Sequence, residues 1–429
     1  MSERVLIAPW GNPFSWWEAT YRVNCGEFGI KDCRDTVKED SKSTLPALIE
    51  ALNPEKVIIF ALDTLVNARK DEENPPIPDS TPRTYDEVRE DVEKRVGWFA
   101  EEIGIGDKVE IIVAPGVGEF KNASVLGNML DFYSFTLKEL SERLPAGDAE
   151  VFLDLTHGMN FMPVLTYRAL KNLLGLSAYA NNVRFIVVNS EPAIEEKGTM
   201  NIRVIENSPV RPKPVYSLIK GGEQEKRWSA FLSAVANGFP LAFATFYPKL
   251  SDIEKRIEEQ LKDFISSIEV AMNGKIVLVK RKKTLDENFR TISKLRYLLR
   301  VLNQNGWDKC TGTVVPLKSV EAITCGLFAR MPTIGPVVER QVETIRNSLS
   351  GIKLKKPTPM KELMRSSWGR KVHLRNFIAH SGFEGNLVMV NYSARENDYI
   401  LYYDDERKVM NLCVRALEYR GYEEIPKGC

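Results

Sequence analysis

Five short runs dense in valine, isoleucine and leucine recur through the first half of the chain: Val5–Ala8, Val57–Leu62, Val109–Ala114, Val151–Leu155 and Val183–Val188. Runs of this length without polar alternation fit strands buried on both faces. Between them lie spans with helical periodicity, about Tyr85–Ile103, Ser124–Leu144 and Phe161–Leu174. This alternation confines the first half to a Rossmann-like α/β fold, a mostly parallel sheet with helices on both sides. The stretch Lys70–Thr84 holds four prolines and several acids and reads as an exposed loop.

The pattern changes at Ser208–Pro214, where three prolines in seven residues make a stiff connector. Three segments follow: residues 1–207 as the α/β domain, 208–215 as linker and 216–429 as a mainly α-helical domain. Helical patterns in the last segment cover about 216–237, 249–272, 286–304, 335–350, 360–380 and 406–419. Lys275–Lys280 alternates like a strand, and Leu387–Tyr392 with Tyr399–Tyr403 reads as a hairpin. The total formal charge of +1 divides unevenly, about −10 over residues 1–214 and +11 over 215–429. The basic half is the better candidate for contacts with nucleic-acid phosphates.

Six scattered cysteines without a CxxC pair, and only three histidines, give no metal-site pattern and no secreted disulfide framework. No apolar run is long enough to span a bilayer, and the N-terminus has no signal-peptide pattern. A reduced, cytoplasmic protein is expected.

In a doubly wound sheet, ligands sit beyond the carboxyl ends of the strands. Four segments are expected to converge there: Pro9–Trp17, Asp63–Asn67, Pro115–Glu119 and Asp154–Asn160. They supply small residues, hydroxyls, amides and tryptophan faces, a set suited to bases and ribose. Gly116-Val117-Gly118 does not continue into G-x-G-x-x-G, and no phosphate-binding P-loop exists. A nucleotide-dependent Rossmann enzyme is therefore the weaker reading.

In the second half, Lys371–Gly382 is the informative stretch. At about 100° per residue, Leu374, Phe377 and Ile378 form a buried stripe, whereas Asn376, His380 and His373 face away from it, with Arg375 beside them. Gly382 is expected to stop the helix and leave His380 in its last turn, where the dipole would raise the imidazole pKa. A guanidinium that binds phosphate, an imidazole that exchanges protons and a polar orienter can together cleave RNA, whose 2′-hydroxyl is its own nucleophile. A helical half that only relays a signal, in a sensor without enzymatic activity, is the rival reading.

These motifs give the chain its family likeness. Asp154-Leu155-Thr156-His157-Gly158-Met159-Asn160 resembles the D-[LI]-T-H-G-x-N signature of CARF sensor domains, and Gly11-Asn12-Pro13 with Trp16-Trp17 resembles their first-strand loop. Arg375-Asn376 through His380 is similar to the R-x(4–6)-H motif of HEPN domains. The whole resembles the CRISPR-associated CARF–HEPN ribonucleases of type III systems. That resemblance implies a homodimer, or a higher assembly, whose sensor domains bind a cyclic oligoadenylate: cyclic tetra-adenylate first, cyclic hexa-adenylate second. Asn12, Trp16, Thr156, His157, Gly158 and Asn160 would contact the ring. Paired copies of Arg375, Asn376 and His380 would cleave single-stranded RNA without metal and leave a 2′,3′-cyclic phosphate. Lys70–Thr84 and Lys275–Lys283 match no family motif. The first reads as an ordinary insertion, the second as an effector insertion shaping RNA access.

Overall fold

All five apolar runs are strands. The structure, a computed structural model, describes residues 2–71, 74–192, 198–352, 354–364 and 371–423. By contacts the chain divides into two units. The first comprises Met1–Leu174, Asn181–Val210 and Ile257–Arg290; the second comprises Gly175–Ala180, Arg211–Arg256 and Thr291–Cys429. The break at Val210/Arg211 lies in the proline-rich stretch. Residues Ile257–Arg290, however, belong with the α/β unit although they lie within the 216–429 segment of the sequence reading.

Among the described residues the first unit contains twelve strands: β1 (Glu3–Pro9), β2 (Ala19–Val23), β3 (Thr36–Ser41), β4 (Lys56–Leu62), β5 (Val109–Ala114), β6 (Gly118–Glu119), β7 (Ala123–Leu126), β8 (Ala149–Asp154), β9 (Val183–Ser190), β10 (Thr199–Pro209), β11 (Ile268–Asn273) and β12 (Ile276–Arg281). Eight form one sheet in the order β3-β2-β10-β9-β8-β1-β4-β5. Its core, β5-β4-β1-β8-β9, is entirely parallel. Val5 to Ala8 and Val57 to Leu62 are buried, as two-sided helix cover requires. From β1 the core grows toward β4 and β5 on one side and toward β8 and β9 on the other. The order thus reverses between β1 and β8, and a crevice opens at their carboxyl ends. β10 pairs with β9 antiparallel. Beyond Ile202 it has no strand partner on its other side among the described residues, which is where Pro209 can be accommodated.

Helix Tyr85–Glu102 shows how the sequence sets an element locally. Thr84 Oγ1 accepts the Glu87 N–H and the Glu87 carboxylate accepts the Thr84 N–H, a capping box. Val88, Val92, Val96 and Phe99 then recur at helical spacing and are buried. The expected helix over Ser124–Leu144 is shorter. Ala123–Leu126 is β7, and the helix begins at Leu130. β7 pairs in parallel with β12, Val277 opposite Ala123, in a second sheet ordered β11-β12-β7-β6. A partner about 150 residues away decides that short segment, a signal no local window contains. The strand expected in Lys275–Lys280 is therefore half of a hairpin of the α/β unit rather than an insertion of the helical one.

The second unit is built from helices including Glu223–Asn237, Pro240–Phe246, Leu317–Gly326, Gly335–Leu349, Leu374–Ala379 and Glu406–Glu423. A small sheet accompanies them: β13 (Val315–Pro316), β14 (Thr358–Pro359), β15 (Val388–Ser393) and β16 (Asp398–Tyr403), ordered β13-β16-β15-β14. The expected hairpin is β15–β16. The expected helix 360–380 is interrupted. Met360–Leu363 is one turn, residues 365–370 lie outside the described residues, and the helix resumes at Leu374.

The expectation of wholly reduced cysteines is corrected: Cys25 and Cys33 form a disulfide, their Cα atoms 5.6 Å apart. The turn that follows β2 folds the chain back and brings together two residues whose spacing of eight matches no redox or zinc motif. Cys310, Cys325 and Cys413 are free thiols. No helix among the described residues is long and apolar enough to cross a membrane.

Candidate functional site: a sensor crevice and an Arg–His helix

At the carboxyl end of β8, Asp154 is buried and acts as a hub. Its Oδ1 accepts the Thr156 N–H at 3.0 Å and the Thr156 hydroxyl at 2.6 Å, and its Oδ2 accepts the Thr44 hydroxyl at 2.5 Å. The Thr156 oxygen also accepts the Ser190 N–H at 3.0 Å, which ties the turn to β9. The Thr44 N–H donates to Nε2 of His157 at 3.3 Å. A backbone N–H can only donate, so the imidazole is neutral with its proton on Nδ1. Burial pushes the His157 pKa down to about 4, against the pull of Asp154. The ring stacks on Trp16, centroids 4.1 Å apart and planes 26° from parallel, and meets Tyr21 edge-on at 6.2 Å.

The loop after β1 closes the crevice from the other side. The Gly11 N–H donates to the His157 carbonyl at 2.8 Å. Asn12 Oδ1 accepts the Phe14 N–H at 3.1 Å and so caps the turn Pro13–Ser15 that presents the two tryptophans. Gly158 is required by close approach: a Cβ there would lie 2.4 Å from Pro163 Cγ. Asn160 is exposed with φ +48°.

Two cavities open here. One, of about 390 Å³, is lined by Trp16, Tyr21, Thr156, His157, Asn189 and Ser190 among others. The second, of about 700 Å³, is lined by Asn12, Trp16, Trp17, Lys42, Arg69 and Lys70 among others. Trp16, Trp17 and Glu18 line both. Of the six sensor residues expected from sequence, Asn12, Trp16, Thr156 and His157 line these cavities. Gly158 and Asn160 shape the turn without lining either. Trp17, named above only as part of the first-strand loop, lines both cavities, and Tyr21, Lys42, Arg69 and Lys70, which the sequence reading did not single out, line one or the other. The aromatic run from Trp16-Trp17 was the available signal for Tyr21; the three cations carry no motif.

The other two segments expected to converge are otherwise engaged. Asp63 and Gly116 hold a guanidinium delivered by β12. Asp63 Oδ2 accepts Arg281 Nη1 at 2.8 Å and the Tyr85 hydroxyl at 3.0 Å, and its Oδ1 accepts the Gly116 N–H at 2.7 Å. Arg281 also donates to the Gly116 carbonyl, and its Nε lies 3.8 Å from Asp131. The three charged side chains are wholly buried. Burial pushes the carboxyl groups of Asp63 and Asp131 up despite the neighbouring guanidinium.

In the second unit, Arg375, Asn376 and His380 come together on the helix Leu374–Ala379 and its C-cap. Arg375 is exposed; Asn376 and His380 are half-buried. Phe377 anchors the helix, its ring 5.0 Å from that of Phe239. Of the expected stripe only Phe377 is fully buried. The chain turns off at Ser381 (φ +51°) and Gly382 (φ +82°), where a Cβ would lie 3.0 Å from Phe239 Cβ. His380 Nδ1 lies 3.2 Å from Gln341 Oε1. Its pKa is not raised, as the dipole argument expected, but lowered: burial outweighs the Glu384 carboxylate, which acts in the opposite direction. A helix of six residues carries too few aligned peptides to compensate.

Residues 5–192 match the family model of the CRISPR system endoribonuclease Csx1 CARF domain, and residues 332–405 match that of the Csx1 HEPN domain. The CRISPR system endoribonuclease Csx1 of Methanocaldococcus jannaschii is 32% identical over 444 residues, covering 92% of this chain and 88% of that protein. The structure of Enterococcus italicus Csm6 bound to cyclic hexa-2′-fluoro-hexa-dAMP aligns with 80% of this chain and 62% of its own, at 10% identity and a TM-score of 0.25. A CARF domain followed by a HEPN domain defines a CARF–HEPN endoribonuclease. The chain belongs to the CRISPR system endoribonuclease Csx1 family.

Proposed function

We propose that this endoribonuclease is switched on by a cyclic oligoadenylate, cyclic tetra-adenylate in the first place and cyclic hexa-adenylate as the alternative, within type III CRISPR antiviral defence. The ring binds the crevice of the first unit, with Asn12, Trp16, Thr156, His157, Gly158 and Asn160 as its contacts or the turns that shape them. The observation that carries this reading is the pair of adjoining cavities. One has aromatic walls, and the other bears Lys42, Arg69 and Lys70 against a single acid, Glu18, among its lining residues. Aromatic faces take bases and cations take phosphates. A ring of even size has a twofold axis, so it fits a homodimer.

The ribonuclease site is a composite of two copies of Arg375, Asn376 and His380. The 2′-oxygen of RNA attacks the adjacent phosphorus. Its proton passes to a neutral His380 imidazole, the P–O5′ bond breaks, and the leaving oxygen takes that proton from the imidazolium so formed. A 2′,3′-cyclic phosphate and a 5′-hydroxyl result. Arg375 offsets the charge gathering on the phosphoryl oxygens, and Asn376 orients. No metal enters the step. Burial holds this half-buried imidazole below its ordinary pKa, which favours the neutral form a general base needs.

Trp17 tests the ligand reading. It lines both cavities yet is 59% exposed, so its removal costs the fold little. The Trp17→Ala variant is expected to bind cyclic tetra-adenylate about 5- to 100-fold more weakly by calorimetry. Unchanged affinity for both tetra- and hexa-adenylate rings removes these cavities from the ligand site.

A further inference from the structure

We propose that Gln341 is the positioning residue of the ribonuclease site, its side-chain oxygen accepting the Nδ1–H of His380 and so committing Nε2 to proton exchange with RNA. The proposal rests on the reading of His380 as the group that moves the proton. Gln341 lies on helix Gly335–Leu349, 39 residues from His380 in sequence. That helix is fixed by Val338, Val342, Ile345 and Leu349, all buried. The backbone that carries the ring is fixed independently: the His380 N–H donates to the Asn376 carbonyl at 3.0 Å, and the His380 carbonyl accepts the Phe383 N–H at 2.8 Å. Two rigid elements thus place Oε1 and Nδ1 3.2 Å apart. An amide oxygen accepts only, so this contact selects the Nδ1–H tautomer.

A neutral partner has a consequence for proton transfer. The residues one turn either side of Gln341 on its own helix, Val337, Val338, Thr344 and Ile345, are uncharged. The carboxylate acting on the ring is that of Glu384, a buried residue whose oxygens accept the Asn386 backbone and side-chain N–H groups. The cation and titratable ring on the helix of His380 itself are Arg375 and His373. A carboxamide orients the imidazole without adding the negative charge that would hold it protonated.

Two variants separate orientation from bulk. Gln341→Met keeps volume and helix propensity but loses the acceptor. Its kcat is expected to fall about tenfold to a hundredfold, with KM unchanged. Gln341→Glu keeps the acceptor and adds charge. It should retain most of kcat, with the pH–rate profile displaced upward by about one pH unit. The tautomer is readable without activity, because the chain has only three histidines. In ¹⁵N-histidine spectra of the full chain, the signals that vanish in His380→Asn should report Nδ1–H in the parent and lose that preference in Gln341→Met. Parent-like kcat and tautomer in Gln341→Met would overturn the proposal, as would a fall in kcat with an unchanged tautomer and no rescue by glutamate. Cleavage that survives loss of His380 instead overturns the underlying site reading, so the two failures are distinguishable.

Discussion

Replacing His380 by alanine is expected to lower RNA cleavage by roughly 10²–10⁴-fold, the usual contribution of a positioned acid–base group. In the proposed composite site each protomer would supply this ring, so the substitution would remove both the base that takes the 2′-hydroxyl proton and the acid that supplies the leaving oxygen. The fold should tolerate the change. His380 is half-buried at the end of its helix, and the anchoring contact is made by Phe377 on Phe239. Binding of cyclic tetra-adenylate to the first unit should therefore match the parent, which separates lost chemistry from lost structure. Chelation by EDTA should leave parent activity unchanged, and a substrate with 2′-deoxyribose at the scissile position should resist. Cleavage by the alanine variant at the parent rate would dismiss Arg375, Asn376 and His380 as the site.

The second large effect is on stability. Arg281→Ala is expected to destabilise the first unit by about 3–5 kcal/mol, because it leaves Asp63 and Asp131 buried without their guanidinium. Asp63 keeps the Gly116 N–H and the Tyr85 hydroxyl, and Asp131 keeps the Leu285 N–H. These donors stabilise a carboxylate only in part once the positive charge is gone. Burial already drives both carboxyl groups toward their protonated forms. Fit matters here as well as charge: a Cβ on Gly127 would lie 2.6 Å from Arg281 Nε, so Gly127 leaves room for the guanidinium. Denaturant unfolding of Arg281→Ala, Asp63→Asn and the double variant measures the coupling. The double variant should be more stable than the sum of the single losses implies, by about 0.5–3 kcal/mol. Additive losses would mean that the buried pair contributes no more than its separate members.

The five central strands were legible because burial on both faces writes a continuous apolar run into the sequence, as in Val57–Leu62. The edge of the same sheet was not. β3, Thr-Val-Lys-Glu-Asp-Ser, is half exposed and carries no such run. β7 reads as the start of a helix until β12 pairs with it. The hairpin Ile268–Arg281 belongs to the first unit through that pairing and through Arg281, and neither is visible locally. At the proposed sites, the T-H-G turn and the Arg–His helix were legible as motifs, since a turn and a helix bring near neighbours together. Gln341, Lys42, Arg69 and Lys70 were not, because they reach their places from elements distant in sequence. The direction of the His380 pKa was misread for a related reason: the dipole is a property of the helix, whereas burial depends on what packs around it.

The direct test is cleavage of a labelled single-stranded RNA by the full chain with no ring, with synthetic cyclic tetra-adenylate and with synthetic cyclic hexa-adenylate. One of the two rings should raise the rate by at least the roughly 5–150-fold of an ordinary allosteric coupling. The products should end in 2′,3′-cyclic phosphate. Equal rates with and without either ring, measured at concentrations where the ring is bound, would contradict activation through the sensor crevice.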